Sequence, residues 1–383
     1  MKLSNRIENV RASSTVAFNT KANELKRQGV DVIAMTAGEP DFQPPPHVMD
    51  AARDAIDKGL TKYTPAEGTF ALREQIAAKH ARDNGFTPDP SEVIVGTGGK
   101  QVLYNAMQAL IDPGDEAIVI APYWVSYPAQ IEVSGGTLVP VHARAEDGFV
   151  PDPADVAAAV TSKTKMIILN SPSNPTGAVY PREVVEAIVK IARDRGLWLI
   201  ADDLYEYLVY DGAFTSAAPL YPEGTLTVNG ASKAFALTGW RIGWGVGPQP
   251  LVKAMTRLQG QVTSGANALA QHATAAALEQ HDATAAFVAE CKKAYVERRD
   301  TLVTGLNGLG LKTPMPQGAF YAMADVTSID ADEGKAALKL LEEANVAVVP
   351  GTDFAAPGFV RLSYATSLAN IEKALERIAR VVT

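Results

Sequence analysis

Short apolar runs recur through the middle of the chain, and stretches with helical spacing separate most of them. The runs are EVIVG (92–96), EAIVIA (116–121), TLVPV (137–141), KMIILN (165–170), LWLIAD (197–202), TLTVNG (225–230) and RIGWGVG (241–247). Between two of them, residues 181–194 place Val184, Val185, Ile188 and Ile191 on one helical face. Strands that are apolar throughout and alternate with helices indicate a mostly parallel sheet covered on both faces. The pattern therefore predicts a large α/β domain with a seven-stranded, mostly parallel sheet over residues 45–285.

The C-terminal part of the chain mixes strands and helices differently. Strand patterns cover 318–326, 346–351 and 359–366, and helical patterns cover 332–344 and 369–382. This mixture predicts a smaller α+β domain over residues 286–383. Residues 1–44 are predicted to form an N-terminal arm and part of the small domain.

Composition excludes several classes of protein. The chain carries 35 Lys and Arg against 43 Asp and Glu, a net charge of −8, which argues against nucleic acid or an anionic membrane as a partner. The single cysteine, Cys291, excludes an internal disulfide and favours a reducing compartment. The N-terminus has no apolar signal region and no apolar stretch is long enough to span a bilayer, so we expect a cytoplasmic protein. The five histidines are scattered without a ligand motif, and no metal site is expected.

Polar residues follow several apolar runs, where open α/β sheets bind their ligands. In GTGGKQ (96–101), a glycine turn containing Gly98, Gly99 and Lys100 opens a helix whose N-terminal N–H groups suit an anion. The turn matches neither the dinucleotide fingerprint nor the Walker loop. A tight turn without a ligand is therefore an equal alternative.

Two further strand ends carry polar side chains in constrained positions. In NSPSNPTG (170–177), two prolines restrict the backbone and could aim Asn174 into the crevice, although a simple proline-rich turn explains them too. Asp202 ends an apolar strand, and a buried carboxylate needs a cationic partner. That partner is either a structural arginine or the protonated ring nitrogen of a cofactor.

Two basic residues lie where apolar neighbours would desolvate them. Lys233 follows the run 225–230, and desolvation there would lower the pKa of the lysine and free its amine as a nucleophile, although an exposed loop lysine without a catalytic role is the commoner case. Arg241, eight residues later, could hold a phosphate nearby. Arg361 lies inside the apolar strand FVRLSYAT and needs a planar anion, which an internal acid or a substrate carboxylate could supply.

In this order along the chain, the motifs resemble the class I pyridoxal-phosphate-dependent aminotransferases of fold type I. The match extends from TAGEPDF (36–42) through TKYTP, GGKQ, PYWVSYP, SNPTG and SKAFALTGWRIG to VAVVPGTDF and RLSYATS. It is most similar to the bacterial aspartate and aspartate/prephenate branch. The resemblance implies that the large domain binds pyridoxal 5'-phosphate and that the protein is a homodimer.

The implied activity moves an amino group between L-aspartate and 2-oxoglutarate by a ping-pong mechanism through aldimine and ketimine intermediates. An aromatic-amino-acid aminotransferase or a β-lyase on the same fold remains an alternative, and prephenate remains open as a substrate. A ligand-binding regulator on this fold would carry an added basic DNA-binding segment, which the acidic chain and its short N-terminal arm do not provide.

The resemblance also implies roles for individual residues. Lys233 is the catalytic lysine, and Tyr63 would reach the cofactor phosphate of the neighbouring subunit. The cofactor-binding residues are Tyr63, Gly98, Gly99, Lys100, Trp124, Asn174, Asp202, Tyr205, Ser232, Lys233 and Arg241. The substrate-binding residues are Thr15, Gly38, Lys100, Trp124, Asn174 and Arg361, with Arg361 on the α-carboxylate and Lys100 and Thr15 on the distal one. Lys165 is a further candidate for binding prephenate, although a surface lysine at the start of a strand is the commoner case. Gly230 stands where many relatives of this family have serine.

Overall fold

A computed structural model describes residues 3–8, 10 and 14–382, without the side chains of residues 5, 6 and 14–17. The helices are α1 (Asn5–Glu8), α2 (Ser14–Arg27), α3 (Pro46–Asp57), α4 (Phe70–Asp83), α5 (Gly99–Leu110), α6 (Ser126–Val133), α7 (Pro153–Ala159), α8 (Arg182–Asp194), α9 (Gln249–Val262), α10 (Ala268–Glu279), α11 (His281–Gly308), α12 (Glu333–Glu343) and α13 (Leu368–Val382). The strands are β1 (Ile33–Ala34), β2 (Val93–Gly96), β3 (Glu116–Ala121), β4 (Thr137–His142), β5 (Thr164–Asn170), β6 (Trp198–Asp202), β7 (Thr225–Gly230), β8 (Gly243–Val246), β9 (Tyr321–Asp325), β10 (Val346–Ala347), β11 (Val349–Pro350) and β12 (Phe359–Ser363).

A seven-stranded sheet with the order β2-β8-β7-β6-β5-β3-β4 forms the centre of the α/β fold. Strands β4, β3, β5, β6 and β7 are parallel to one another, and β8 is antiparallel to both β7 and β2. Residues 231–242, which join β7 to β8, contain no α-helix, so this connection can reverse the chain, whereas parallel strands need a longer crossover. The predicted α/β class with a mainly parallel seven-stranded sheet is confirmed.

Helices cover both faces of this sheet because side chains alternate along each strand. On β5, Met166 and Ile168 pack towards α5 and α9, whereas Ile167 and Leu169 pack towards α8. The buried face of α8 consists of Val185, Ile188, Val189 and Ala192. Of the four residues in the predicted apolar stripe, Val184 and Ile191 lie at its half-buried edges. The buried face is therefore centred between Val185 and Val189, slightly to one side of the predicted stripe.

A second sheet, β11-β12-β9, is antiparallel, and the short strands β1 and β10 pair in parallel. Residues from both ends of the chain share the core around these strands, among them Ile33, Met35, Leu302, Leu340 and Ile371. Helix α11 continues through residue 285, and the division at 44/45 and 285/286 stays a prediction.

Over the parts of the chain described, no helix is both long and apolar enough to cross a membrane. Among the same residues, no group of three or more His, Cys, Asp or Glu side chains could hold a metal ion.

Candidate active site

A cavity of about 260 Å³ lies at the carboxyl ends of the central strands, between the two sheets. The pairing of β5 with β6 aligns Asn170 with Asp202, so the polar ends of both strands face the same crevice. The residues predicted from sequence that line this cavity are Gly38, Gly99, Lys100, Trp124, Asn174, Asp202, Tyr205, Ser232, Lys233, Arg241 and Arg361. The fold therefore brings together side chains that are up to 323 residues apart in sequence (361 − 38).

The N-terminus of α5 and Arg241 form one end of the cavity. Gly98 precedes α5 with a φ of 82°, and a Cβ atom at this position would lie 2.6 Å from Nη2 of Arg241. Arg241 itself has a φ of 57°, and its Nη1 donates to the carbonyl of Thr238 over 2.7 Å. Free N–H groups at a helix N-terminus beside a guanidinium make a site for a compact dianion such as a phosphate.

Asp202 is a buried carboxylate without a basic partner in an ion pair among the described residues. Its Oδ2 accepts a hydrogen bond of 2.6 Å from the hydroxyl of Tyr127, and its backbone carbonyl accepts one of 2.8 Å from Asn170. Burial raises the pKa of Asp202 to about 6, although the bonds from Tyr127 and Leu204 and the charge of Lys233 lower it. The carboxylate is thus suited to a cationic ligand group.

Lys233 lines the same cavity as Arg241, at the predicted phosphate site, and Arg361 of the second sheet. Its Nζ donates to the backbone carbonyl of Gly38. Burial, with a further contribution from the charge of Arg361, lowers the pKa of Lys233 to about 8. A lowered pKa makes the neutral, nucleophilic amine available close to neutral pH.

Arg361 presents a buried guanidinium to the opposite side of the cavity. Its Nη1 donates to Oδ1 of Asn174 over 2.9 Å and its Nη2 to the carbonyl of Thr36 over 3.0 Å. Its Nε has no hydrogen-bond partner, and no carboxylate pairs with Arg361 among the described residues. Burial lowers the pKa of Arg361. A buried cation of this kind is strongly destabilising unless an anion binds it. Because no internal acid pairs with Arg361 in the described part of the chain, a ligand carboxylate is the remaining partner.

Aromatic side chains complete the walls. The Nζ of Lys100 lies 4.9 Å from the ring centroid of Trp124, which packs edge-on against Tyr127 at 5.4 Å. The hydroxyl of Tyr205 lies 2.9 Å from that of Tyr321. Burial lowers the pKa of Lys100, and the charge of Arg241 lowers it further.

Among the predicted site residues whose side chains the structure describes, Gly98 and Tyr63 do not line the cavity. Gly98 lies directly beside it, where it makes room for Arg241. Tyr63 is 98% exposed and lies at the surface of this chain. The side chain of Thr15 lies outside the described residues, and its role stays a prediction.

Tyr127, Tyr321 and Asn170 line the cavity although sequence reasoning assigned them no role. A signal existed for Asn170, because it ends an apolar run as Asp202 does. Tyr127 belongs to PYWVSYP and Tyr321 to the strand pattern 318–326, but nothing local distinguishes either from a core tyrosine. Their roles depend on hydrogen bonds to residues 75 and 116 positions away.

An α/β fold with a desolvated lysine between two anion-binding groups defines a class of enzyme that binds a phosphorylated cofactor and a carboxylate. The family model described as aminotransferase class I and II matches residues 30–378, and the chain belongs to this family. The protein is a pyridoxal-phosphate-dependent aminotransferase, as the resemblance had predicted.

Individual relatives are similar over nearly the whole chain. The aspartate/prephenate aminotransferase of Thermus thermophilus is 54% identical over 380 residues, covering 99% of this chain and 98% of that protein. The aspartate aminotransferase of Geobacillus stearothermophilus is 44% identical over 394 residues, covering 99% and 98%. Among solved structures, the Thermus thermophilus aspartate aminotransferase with maleate superposes with a TM-score of 0.98 at 54% identity, covering 100% of both chains. The Rhizobium meliloti aspartate aminotransferase superposes with a TM-score of 0.95 at 41% identity, covering 100% and 99%.

The site fits pyridoxal phosphate on its own chemistry. The unpaired carboxylate of Asp202 suits a protonated pyridine nitrogen, and the close approach of Gly98 to Arg241 leaves backbone N–H groups and a guanidinium for a phosphate. Lys233 supplies an amine of lowered pKa within the same cavity. The unpaired Nε of Arg361 remains for a second, carboxylate-bearing ligand.

Proposed function

We propose that this protein is an aspartate aminotransferase that moves the amino group between L-aspartate and 2-oxoglutarate in two half-reactions. The observation that carries this proposal is that Lys233 lines the same cavity as the buried carboxylate of Asp202 and the buried guanidinium of Arg361, neither of which has an ion-pair partner among the described residues. The names of the relatives, aspartate and aspartate/prephenate aminotransferase, support the choice of substrate.

Pyridoxal phosphate, when bound, supplies an electron sink that stabilises negative charge on the substrate Cα. Asp202 would keep the pyridine nitrogen protonated, and Tyr127 would hold that carboxylate in place through its bond of 2.6 Å. Trp124 would pack on the ring face. The N–H group of Gly99 at the start of α5, with Ser232 and Arg241, would hold the phosphate. The N–H group of Gly98 donates to the carbonyl of Gly96 over 2.8 Å, so Gly98 would contribute by leaving room for Arg241.

Lys233 would act first as the nucleophile that attaches the cofactor and later as the base that moves a proton from the substrate Cα. Both tasks need a neutral amine, and burial next to Arg361 favours that form. The carbonyl of Gly38 accepts a hydrogen bond from Nζ and fixes its direction. Tyr205 and Asn174 would donate hydrogen bonds to the phenolic oxygen of the cofactor.

Arg361 would bind the substrate α-carboxylate, with Gly38, Asn174 and Trp124 beside it. A guanidinium held by Asn174 and Thr36 presents a rigid fork, which suits a planar carboxylate. Lys100, which lies over Trp124, would bind the distal carboxylate of aspartate together with Thr15. Lys165, the sequence candidate for prephenate, is the second residue of β5 and lies at the end of that strand opposite to Asn170 and the cavity, so it is not assigned to this substrate.

We propose further that the protein is a homodimer in the cytoplasm. Support for the dimer comes from large apolar side chains that this chain leaves exposed: Leu60 (38% exposed), Tyr63 (98%), Phe70 (58%) and Val262 (57%). In such a dimer Tyr63 would reach the cofactor phosphate of the partner subunit. The reducing compartment is supported by the single cysteine, whose thiol is buried.

The proposal is tested by single-turnover spectra of the holoenzyme with aspartate, glutamate, arogenate, phenylalanine and cystathionine. We expect the fastest spectral change with aspartate and glutamate and none in the Lys233→Ala variant. Phenylalanine reacting faster than aspartate would favour the aromatic alternative, and release of pyruvate with ammonia would favour a β-lyase. Normal turnover by Lys233→Ala would contradict the proposal.

A further inference from the structure

Tyr321 contacts both halves of the candidate site. It is the first residue of β9, is fully buried, and its hydroxyl lies 2.9 Å from the hydroxyl of Tyr205. Its ring lies under Arg361, with 4.5 Å from the guanidinium carbon to the ring centroid. One side chain thus joins the tyrosine assigned to the cofactor and the arginine assigned to the substrate carboxylate.

The hydroxyl groups of Tyr205 and Tyr321 have one proton each, which limits the hydrogen bonds that each can donate. A phenol has one proton to donate and lone pairs to accept, and either hydroxyl can be the donor of the bond between Tyr205 and Tyr321. If Tyr205 donates its proton to the phenolic oxygen of the cofactor, it can only accept a bond from Tyr321. Burial raises the pKa of both phenols, so both keep their protons near neutral pH.

We propose that Tyr321 is a positioning residue whose hydroxyl donates to Tyr205 and thereby directs the Tyr205 proton to the cofactor, while its ring supports the guanidinium of Arg361. This inference rests on the proposed role of Tyr205. Arg361 is packed between the rings of Tyr321 and Phe354, at 4.5 and 4.9 Å, and cation–π contacts of this kind restrict a guanidinium to the plane between them.

The charged groups around the pair stay constant when only the hydroxyl is removed. Arg361 and Asp202 act on Tyr205, Arg361 and Glu39 act on Tyr321, and Lys233 lies in the same cavity. Tyr321→Phe keeps the ring beneath Arg361 and changes none of these charges. A change in the cofactor's titration would therefore report on the hydroxyl.

The test is the pH titration of the visible absorption of the holoenzyme without substrate. A hydrogen bond donated to the phenolic oxygen stabilises the deprotonated chromophore, so its weakening raises the midpoint of the titration. We expect Tyr321→Phe to raise the midpoint by roughly half a unit to one unit, with the KM for aspartate within about twofold of the parent. Tyr364→Phe, which removes the hydroxyl of another buried tyrosine in the same core, should leave the midpoint unchanged.

Because Tyr321 acts through Tyr205, the two substitutions should not add. Tyr205→Phe should raise the midpoint, and Tyr205→Phe combined with Tyr321→Phe should raise it no further. An additive double variant, or an unchanged midpoint in Tyr321→Phe beside a shifted Tyr205→Phe, overturns this inference alone. An unchanged midpoint in Tyr205→Phe overturns the proposed role of Tyr205 and the inference with it.

Tyr321→Leu separates the two tasks of the side chain. It removes hydroxyl and ring together, so we expect the same spectral shift and, in addition, a KM for aspartate raised by about fivefold or more. The midpoint of thermal unfolding of the apoenzyme, measured on each variant, identifies any general loss of stability. A KM equal to that of Tyr321→Phe would overturn the role of the ring.

Discussion

At the scale of the residue, Asp202 and Arg361 explain why this cavity requires ligands. Each is a buried charged side chain that no oppositely charged side chain neutralises among the described residues, and such groups are costly to a folded protein. The polar contacts they do have, from Tyr127 and to Asn174, fix their direction and leave hydrogen-bonding capacity for a ligand.

The first prediction concerns the α-carboxylate. Arg361→Leu should raise the KM for every amino-acid substrate by roughly 10- to 150-fold, because a charged hydrogen-bonded pair contributes about 1.5–3 kcal/mol. Steady-state kinetics with aspartate and glutamate would measure it. Arg377→Leu is the control, since it removes an arginine that pairs at the surface with Asp31. An unchanged KM in Arg361→Leu would mean that the carboxylate binds elsewhere.

The second prediction concerns how the free energy of unfolding of the apoenzyme, the protein without its cofactor, depends on pH. The pKa of Lys233 is about 8 in the folded chain against 10.5 for an ordinary lysine, so between these values the unfolded state binds more protons and stability rises with pH. Below pH 8 both states bind the proton and the cost of burying the charge is fully present.

Lys233→Met abolishes this contribution. The free energy of unfolding of the parent apoenzyme, relative to Lys233→Met, should therefore increase by about 2 kcal/mol between pH 8 and 10.5, a figure reduced for the partial exposure of the side chain. Urea unfolding at several pH values would measure it. A constant difference between the two proteins across this range would contradict the lowered pKa.

At the scale of the element, the site depends on where strands end and helices begin. The pairing of Asn170 with Asp202 in β5 and β6 follows from the register of the sheet, and α5 begins directly after β2. Apolar periodicity predicted both strand ends. The hydroxyl that orients the carboxylate of Asp202 comes from Tyr127 in α6, whose contribution no pattern in β5 or β6 could reveal.

The third prediction concerns the turn before α5. Gly98 has a φ of 82°, and a Cβ atom there would lie 2.6 Å from Arg241. Gly98→Ala should therefore weaken the binding of pyridoxal phosphate by roughly 10- to 100-fold, through backbone strain and displacement of the guanidinium. Equilibrium titration of the apoenzyme with the cofactor would measure the affinity.

Gly85→Ala is the matched control for this substitution. Gly85 has a similar φ of 75°, but its nearest contact for a Cβ atom is Pro219 at 4.0 Å, outside the cavity. We expect a comparable loss of stability and an unchanged cofactor affinity. If Gly98→Ala bound pyridoxal phosphate as tightly as Gly85→Ala, the turn before α5 would not form the phosphate site.

At the scale of the whole molecule, Tyr63 is the predicted site residue that a single chain leaves at its surface. Its side chain is 98% exposed and it lies outside the cavity of its own chain. In the proposed homodimer it would complete the partner's site, which connects cofactor affinity to assembly.

The fourth prediction tests this connection. Tyr63→Phe should leave the dimer intact in sedimentation but weaken cofactor binding by roughly tenfold, since it removes one hydrogen bond to a charged phosphate. When Tyr63→Phe is reassociated with Lys233→Ala, only heterodimers contain a site with neither substitution, so activity at limiting cofactor should recover on mixing. A monomeric parent protein, or no recovery on mixing, would contradict the shared site.

The sequence by itself determined the α/β class, the central sheet and the set of polar residues that follow its strands. These are local properties: apolar periodicity and chain order decide where a strand ends, and Asp202 ends one strand whereas Asn174 and Lys233 each follow one within a few residues. Only the tertiary structure decided which side chains meet. The bonds of Tyr127 to Asp202 and of Tyr321 to Tyr205 join residues 75 and 116 positions apart, and they exist because α6 and β9 pack against the ends of the sheet. Hydrophobic pattern specifies that such elements are buried, whereas a hydrogen bond that orients a carboxylate or another hydroxyl forms only when distant elements pack together.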